Sequence, residues 1–311
     1  MNLFCYTMRF LAALALFTSA IAFGQTEVIY PSQESKSDKR FADLIELLSL
    51  ALEKTTPEYG PYNIIPSKLP MNEKRSLAEL KRGELVNVVW SSTSREKEDE
   101  FIAIRIPLRK GLLGYRIALI DTKNQFLIDE VATVADLRRL NIGQGIGWGD
   151  TEVYRANGIP ILTASYESLF AMAAHDRFYL FPRGINEIFG EHESRRAEFQ
   201  NLGIEKNLIL FYPWPYYFFV NKDNSKLAER IDLGLRRMIN DGTFDEIFWK
   251  FNGNAIRKAN LSKRRIIQLD NPLLPKDTPL DPRYWLFPNS LKNYLGEKHR
   301  SVSSDLSIDL Q

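Results

Sequence analysis

The chain of 311 residues is 44% hydrophobic and 26% charged, with a formal net charge of +2, the balance of an ordinary globular protein. A charge so near zero offers no basic field for a nucleic-acid backbone, and 17 Gly and 15 Pro are too few for a fibrous or low-complexity chain. The length exceeds one small domain and suits one large α/β unit or two lobes.

At the N-terminus, Arg9 precedes an uncharged apolar run from Phe10 to Phe17, and Ala20-Ile21-Ala22 supplies the small-x-small pattern of a cleavage site. Residues 1–22 therefore read as a cleaved signal peptide and the compartment as the periplasm; the run is too short to span ~30 Å of hydrocarbon. Met8-Arg9 offers an alternative start with a shorter basic region. Cys5, the only cysteine, leaves with this segment, so the mature chain has no disulfide, thiol nucleophile or cysteine metal site. No later segment is long and apolar enough to cross a membrane.

Residues 28–30 read as a strand, followed by a helix capped near Ser37 that carries Phe41, Leu44, Ile45, Leu48 and Leu52 at helical spacing. A short strand at 63–65 lies between Pro61 and Pro66, and a helix over 73–81 ends at Gly83. Residues 85–90 are a continuous apolar strand of the kind buried in a parallel sheet. The β-prone stretch 115–120 then leads to a second βα series: helix 134–140, strand 142–148, helix 151–156, strand 159–162, helix 166–174, strand 178–181, helix 186–199 and strand 208–211. Strand 216–220 and a long helix through Leu227, Ile231, Leu235 and Met238 come next, ending at Asp241-Gly242. The Pro-containing tail suggests an extended wrap, with residues 301–311 disordered.

Gly143-x-Gly145-x-Gly147-x-Gly149 fails the dinucleotide fingerprint, since Asp150 and Trp148 stand where a third small residue belongs. Alternate glycines instead permit close approach of a neighbour or a ligand. Gly149-Asp150-Thr151-Glu152 opens a helix, whose free N–H groups and Thr151 hydroxyl could hold an anion; the plain alternative is an Asp150 cap. His175, His192 and His299 lack metal-ligand spacing, so no metal and no cofactor is expected. Ser91-Ser92-Thr93-Ser94-Arg95 comes directly after a buried strand, at the carboxyl end where open α/β sheets bind ligands. The charge run over 96–100 reads as a solvated helical face.

Three blocks together resemble bacterial periplasmic solute-binding proteins of the polar amino-acid type, with the type 2 periplasmic-binding-protein fold. They are the Ser/Thr-rich loop with Arg95, Phe101 and Pro107; the strand 142–148 running into Gly149-Asp150-Thr151; and Asn221-Lys222-Asp223-Asn224-Ser225 with Met238-Ile239-Asn240-Asp241-Gly242-Thr243-Phe244 and Phe248-x-Lys250-Phe251. The resemblance covers about residues 27–252. It implies an α/β fold of two lobes with mostly parallel sheets and two crossing strands. Lobe 1 would comprise 26–115 plus 215–252, lobe 2 would comprise 116–214, and 253–311 would wrap lobe 1.

By the same resemblance, Arg95 would grip a ligand carboxylate with help from Ser91, Ser92 and Thr151. A guanidinium offers a bidentate fork for that purpose. The family's ammonium-binding Asp has no counterpart here: Arg183 stands near its place, and Asp150 could replace it or serve as a cap. Arg183 would either welcome a second anionic end or pair with Glu187. Tyr115 or Trp148 would be available to cover an apolar middle, with Arg116 close to the first crossing strand.

The expected function is capture of a small anionic or zwitterionic, amino-acid-like solute. Its expected partner is an inner-membrane permease or sensor kinase, and the chain would act as a monomer. The alternatives are a dehydratase-like lyase on the same scaffold, with Glu152 or Glu187 as general acid, or a protein-interaction module suggested by the tail.

Overall fold

A computed structural model of the chain describes residues 24–32 and 41–288. The stretch expected to be a signal peptide, the helix cap expected at Ser37 and the last residues of the tail lie outside them.

The chain begins with β1 (Thr26–Ser32), α1 (Ala42–Glu53), a single turn α2 (Thr56–Tyr59), β2 (Tyr62–Pro70), α3 (Glu73–Arg82), β3 (Val88–Ser92), α4 (Arg95–Glu100) and β4 (Ile102–Ile104). It crosses to β5 (Tyr115–Asp121), α5 (Gln125–Asp129), α6 (Val134–Leu137), β6 (Ile142–Gly145), α7 (Thr151–Ala156), β7 (Ile161–Ala164), α8 (Tyr166–Ala174), β8 (Phe181–Gly184), α9 (Ile185–Arg195), β9 (Leu202–Ile204) and β10 (Leu208–Phe211). It then returns through β11 (Tyr216–Val220), α10 (Ser225–Asp241), α11 (Thr243–Ala259) and β12 (Arg265–Gln268).

Among the described residues no sheet is shared between the two series, which makes the molecule two-lobed. In lobe 1, β11 lies between β3 and β4, with Phe218 opposite both Trp90 and Ile104. The parallel pair β1–β2 joins that sheet through Asn87, whose side chain accepts from the Ile29 N–H and donates to the Glu27 carbonyl, each at 2.8 Å. In lobe 2 the order is β12-β10-β5-β8, with β9 also on β5 and the pair β6–β7 bridged to it at Ile142 and Leu180. The sheets are mixed and most pairings are antiparallel, which corrects the expectation of mostly parallel sheets. The reason is that β5 and β11, which arrive from the opposite lobe, run against their neighbours.

Sequence periodicity explains the helices that matter most. Leu44, Leu47, Leu48, Ala51 and Leu52 form the buried face of α1, against Ile231, Leu235 and Met238 of α10; each buried Leu, Ile or Met side chain contributes about 1.5–3 kcal/mol. The two helices meet at the backbone, because a Cβ on Gly234 would lie 2.1 Å from the Ala51 carbonyl oxygen. Helix α3 starts on Asn72, whose Oδ1 accepts from the Arg75 N–H at 2.9 Å, and stops at Gly83 in the left-handed region.

Several elements differ from the sequence expectation. The strand expected at 178–181 forms at Phe181–Gly184, and the helix expected over 134–140 is one turn. The strand expected over 142–148 stops at Gly145, because Gly147 at φ +79° turns Trp148 back over it. The C-terminal stretch does not simply wrap lobe 1. Helix α11 places Phe244 and Ile247 in the lobe 1 core but Phe248 and Ile256 in the lobe 2 core, and β12 then pairs in parallel with β10 of lobe 2. The chain thus crosses between lobes a third time.

Candidate ligand-binding cleft

The carboxyl end of β3 sets one wall. Ser91 is fully buried there, and its hydroxyl donates to Glu73 Oε1 at 2.5 Å. The short helix α4 brings Lys97 back over this strand end: Nζ donates to Ser91 Oγ at 2.6 Å, to the Ser92 carbonyl at 2.8 Å and to Glu73 Oε1 at 3.0 Å. Thr93 Oγ1 donates to Glu98 Oε1 at 2.5 Å. A lysine thus lies among hydroxyls at a strand end, with one carboxylate already beside it.

The opposite wall is built on β6. A Cβ on Gly143 would meet the Phe178 ring at 2.3 Å, and one on Gly145 the Trp148 indole at 2.1 Å. These glycines therefore admit neighbouring aromatic rings, one of the two outcomes their spacing allowed. Trp148 stacks at 6.2 Å and 17° on Phe181, with the Arg183 guanidinium 4.6 Å from its ring centroid.

Beneath this wall lies a buried ionic network. Arg183 makes a bidentate pair with Glu191 at 2.7 and 2.6 Å and approaches Glu187 at 3.2 Å. Arg116 donates to Tyr212 Oη at 2.9 Å and pairs with Asp150 at 3.1 Å; Tyr212 in turn donates to Asp150 at 2.9 Å. Burial alone would raise the Glu187 pKa, but the guanidinium charges of Arg183 and then Arg116, with the Gly184 N–H, hold it below the ordinary carboxylate value. Burial pushes the Tyr212 hydroxyl well above its usual range.

Between the walls is a cleft of about 550 Å³ lined by Ser92, Thr93, Ser94, Glu96 and Lys97 on one side. Ile146, Gly147, Trp148, Gly149, Thr151, Glu152, Arg155 and Thr163 line the other, and Trp214 and Leu273 complete the lining. Of the sequence-predicted residues, Ser92, Trp148 and Thr151 line it, and Ser91 stands directly behind. The Thr151 hydroxyl is buried and has no protein partner.

The remaining expectations need correction. Arg95 is exposed on α4 and is not part of the wall; Lys97 is the cation that reaches the strand end. Asp150, Arg116 and Arg183 satisfy one another and their neighbours inside lobe 2, so Arg183 pairs with Glu187, and more closely with Glu191, rather than serving a second anion. Asp150 does not cap α7 through its side chain. Tyr115 is fully buried, and its hydroxyl donates to the Leu286 carbonyl at 2.5 Å.

The cleft contacts that sequence reasoning missed include Lys97, Thr163, Trp214 and Leu273. The Lys97 signal was present, two residues past Arg95, but a charge run masked it. Among the described residues no group of three His, Cys, Asp or Glu side chains is placed to hold a metal ion, and no helix is long and apolar enough to cross a membrane.

No family model matches the chain, and no curated protein matches it significantly in sequence. Solved structures do resemble it. One is the probable amino-acid ABC transporter extracellular-binding protein ytmK from Bacillus subtilis, at 16% identity and TM-score 0.53, covering 75% of this chain and 99% of that one. An ancestral arginine-binding protein bound to arginine is similar at 18% identity and TM-score 0.50, over 73% of this chain and 98% of that one. The same kind of protein bound to glutamine gives 19% identity, TM-score 0.50 and 74% and 98% coverage. At these identities the likeness is one of fold, that of two-lobed type 2 periplasmic binding proteins.

Proposed function

We propose that the chain is an exported solute-binding protein that captures a small zwitterionic, amino-acid-like solute between its lobes for an inner-membrane uptake system or sensor. The observation that carries this reading is the cleft itself: both lobes line it, with hydroxyls from Ser92, Thr93, Ser94, Thr151 and Thr163 and apolar surface from Ile146, Trp148, Trp214 and Leu273. Its charged lining residues balance, Glu96 and Glu152 against Lys97 and Arg155, and Arg155 is already paired with Glu152.

A balanced, partly apolar cleft suits a ligand carrying both charges and an apolar portion, and disfavours a dianion. Lys97, beside the Ser92, Thr93 and Ser94 lining, is the place for the carboxylate, which would take over from Glu73 as the counter-ion of its ammonium. The fold of the similar structures, described in their own names as amino-acid-binding, agrees with that class of ligand.

The lyase alternative finds less support. Glu187 lies among two guanidinium groups that keep it ionised, the wrong state for a general acid at neutral pH. Glu152, the acidic lining residue considered for that role, spends Oε1 on Arg155.

A thermal-shift screen of the mature protein against apolar and polar amino acids, dicarboxylates and small cyclic acids tests the proposal. A ligand present at a hundred times its Kd adds about 2.7 kcal/mol of stability. Shifts with amino acids and none with dicarboxylates are expected; no shift with any of them would sink the solute-binding reading.

A further inference from the structure

We infer that the C-terminal part of the chain, from α11 through Leu286, is a brace that holds the two lobes at a fixed opening and completes the cleft with Leu273. The inference rests on the two-lobed fold and is independent of which solute the cleft takes.

Rotation of two lobes needs freedom in the connections between them. Here the first two connections, residues 105–114 and 212–215, lie side by side, with the Tyr212 N–H donating to the Gly114 carbonyl and the Leu108 N–H to the Tyr216 carbonyl. Helix α11 then enters both cores, so any rotation must slide its packed side chains.

The stretch C-terminal to α11 attaches in turn to each moving part. Strand β12 is fixed in the lobe 2 sheet, and the backbone of Asp270 both donates to and accepts from the Asn157 side chain, at 3.1 and 2.8 Å. At the second connection, the Leu269 N–H donates to the Phe211 carbonyl, and Asn271 Nδ2 donates to the Pro213 carbonyl at 2.7 Å. Leu273 then joins the lining of the cleft.

The segment next meets the start of the first connection, where Asp277 pairs with Arg105 at 2.7 Å, and then lobe 1, where Tyr284 accepts from Arg236 of α10 at 3.4 Å. It ends on the first connection: Trp285, almost wholly buried, covers Gly111, where a Cβ would come within 2.4 Å of the ring. The Leu286 N–H donates to the Lys110 carbonyl at 2.9 Å. The surface pair at Arg105 contributes little alone. Trp285, burying an indole in a slot only glycine leaves open, is the anchor.

One run of chain therefore holds the lobe 2 sheet, both connections and α10 of lobe 1. A change in lobe separation has to shift the α11 packing in both cores and pull the brace from the connections or from α10, so movement that two plain connections would permit becomes coupled to tail release.

The test is an inter-lobe distance distribution by electron paramagnetic resonance on the ligand-free full chain, with spin labels on Lys74→Cys and Ala135→Cys in a Cys5→Ser background. Lys74 and Ala135 lie one on each lobe, away from the buried cores. The parent should give one narrow distribution. Trp285→Ala, and separately the milder pair Asn271→Ala with Asp277→Ala, should broaden it and add a population at longer distance. Distributions as narrow as the parent's in both variants would overturn the brace.

Discussion

The guanidinium of Arg183 lies 4.6 Å from the ring centroid of Trp148, with Glu191 and Glu187 holding its nitrogens from the other side. A cation that sequence position alone marks as a ligand contact is thereby turned into the floor under an aromatic wall. Cation and ring support each other where water is excluded.

Arg183→Met should destabilise the fold by about 1–3 kcal/mol, because it takes the bidentate guanidinium from half-buried Glu191 and leaves Glu187 with Arg116 alone. A urea midpoint within error of the parent would show that the network carries no such weight.

At the cleft, Lys97→Met and Arg95→Ala should part company. Lys97 is tied into the Ser91–Ser92 strand end, whereas Arg95 is exposed outside the wall. Calorimetry with the best amino acid from the thermal-shift screen should show the Lys97 variant losing about 2 kcal/mol or more of affinity. The Arg95 variant should bind as the parent does. The reverse ranking would return the carboxylate role to Arg95.

Gly234→Val should destabilise by about 1–3 kcal/mol, since α10 would be forced off the α1 backbone at Ala51. The better helix propensity of Val gives back only about 0.4 kcal/mol. Chemical denaturation reads this directly, and a midpoint at or above the parent's would refute the close backbone contact.

Asp241 links the end of α10 to the start of α11. Hydrogen bonds from Lys54 Nζ at 2.5 Å, then from the Thr243 hydroxyl at 2.6 Å and the Thr243 N–H at 3.1 Å, lower its pKa from 3.8 to about 2. A carboxylate with a depressed folded value stabilises fully above its unfolded pKa, near 3.8, and the contribution is lost as pH falls through about 2. Asp241→Asn should therefore be less stable than the parent at neutral pH, with the gap closing as pH approaches 2. Thermal midpoints across that range check it; a gap independent of pH would mean the charge is irrelevant.

The sequence made the lobes legible where periodicity was strong. Leu44, Leu48 and Leu52 marked α1, Leu227 through Met238 marked α10, and the unbroken apolar runs at 115–120 and 208–211 marked central strands. It was less informative for β4, β9 and β12, each only three or four residues long and defined by pairing with distant partners. Helix α11 was hidden because it is apolar on two sides, toward two different cores, and so lacks a single stripe.

At the site, the loop after β3 and the turn before α7 were readable as two segments that line the cleft. The partners of the arginines were not, because Glu191 lies eight residues from Arg183 and Tyr212 lies 96 from Arg116. Nothing in local spacing distinguishes an arginine awaiting a ligand from one already satisfied by the fold.

The pairing of β12 with β10 also bears on the order in which the chain can become native. Until residues 265–268 are available, the outer edge of β10 presents unpaired N–H and C=O groups, and lobe 2 lacks a strand of its own sheet. Contacts that join such distant parts of a sequence form slowly, since a long loop must close first. The lobe 2 sheet can therefore be finished only once the C-terminal region has arrived, so its β10 edge is closed late, whatever the order in which the other strands pair.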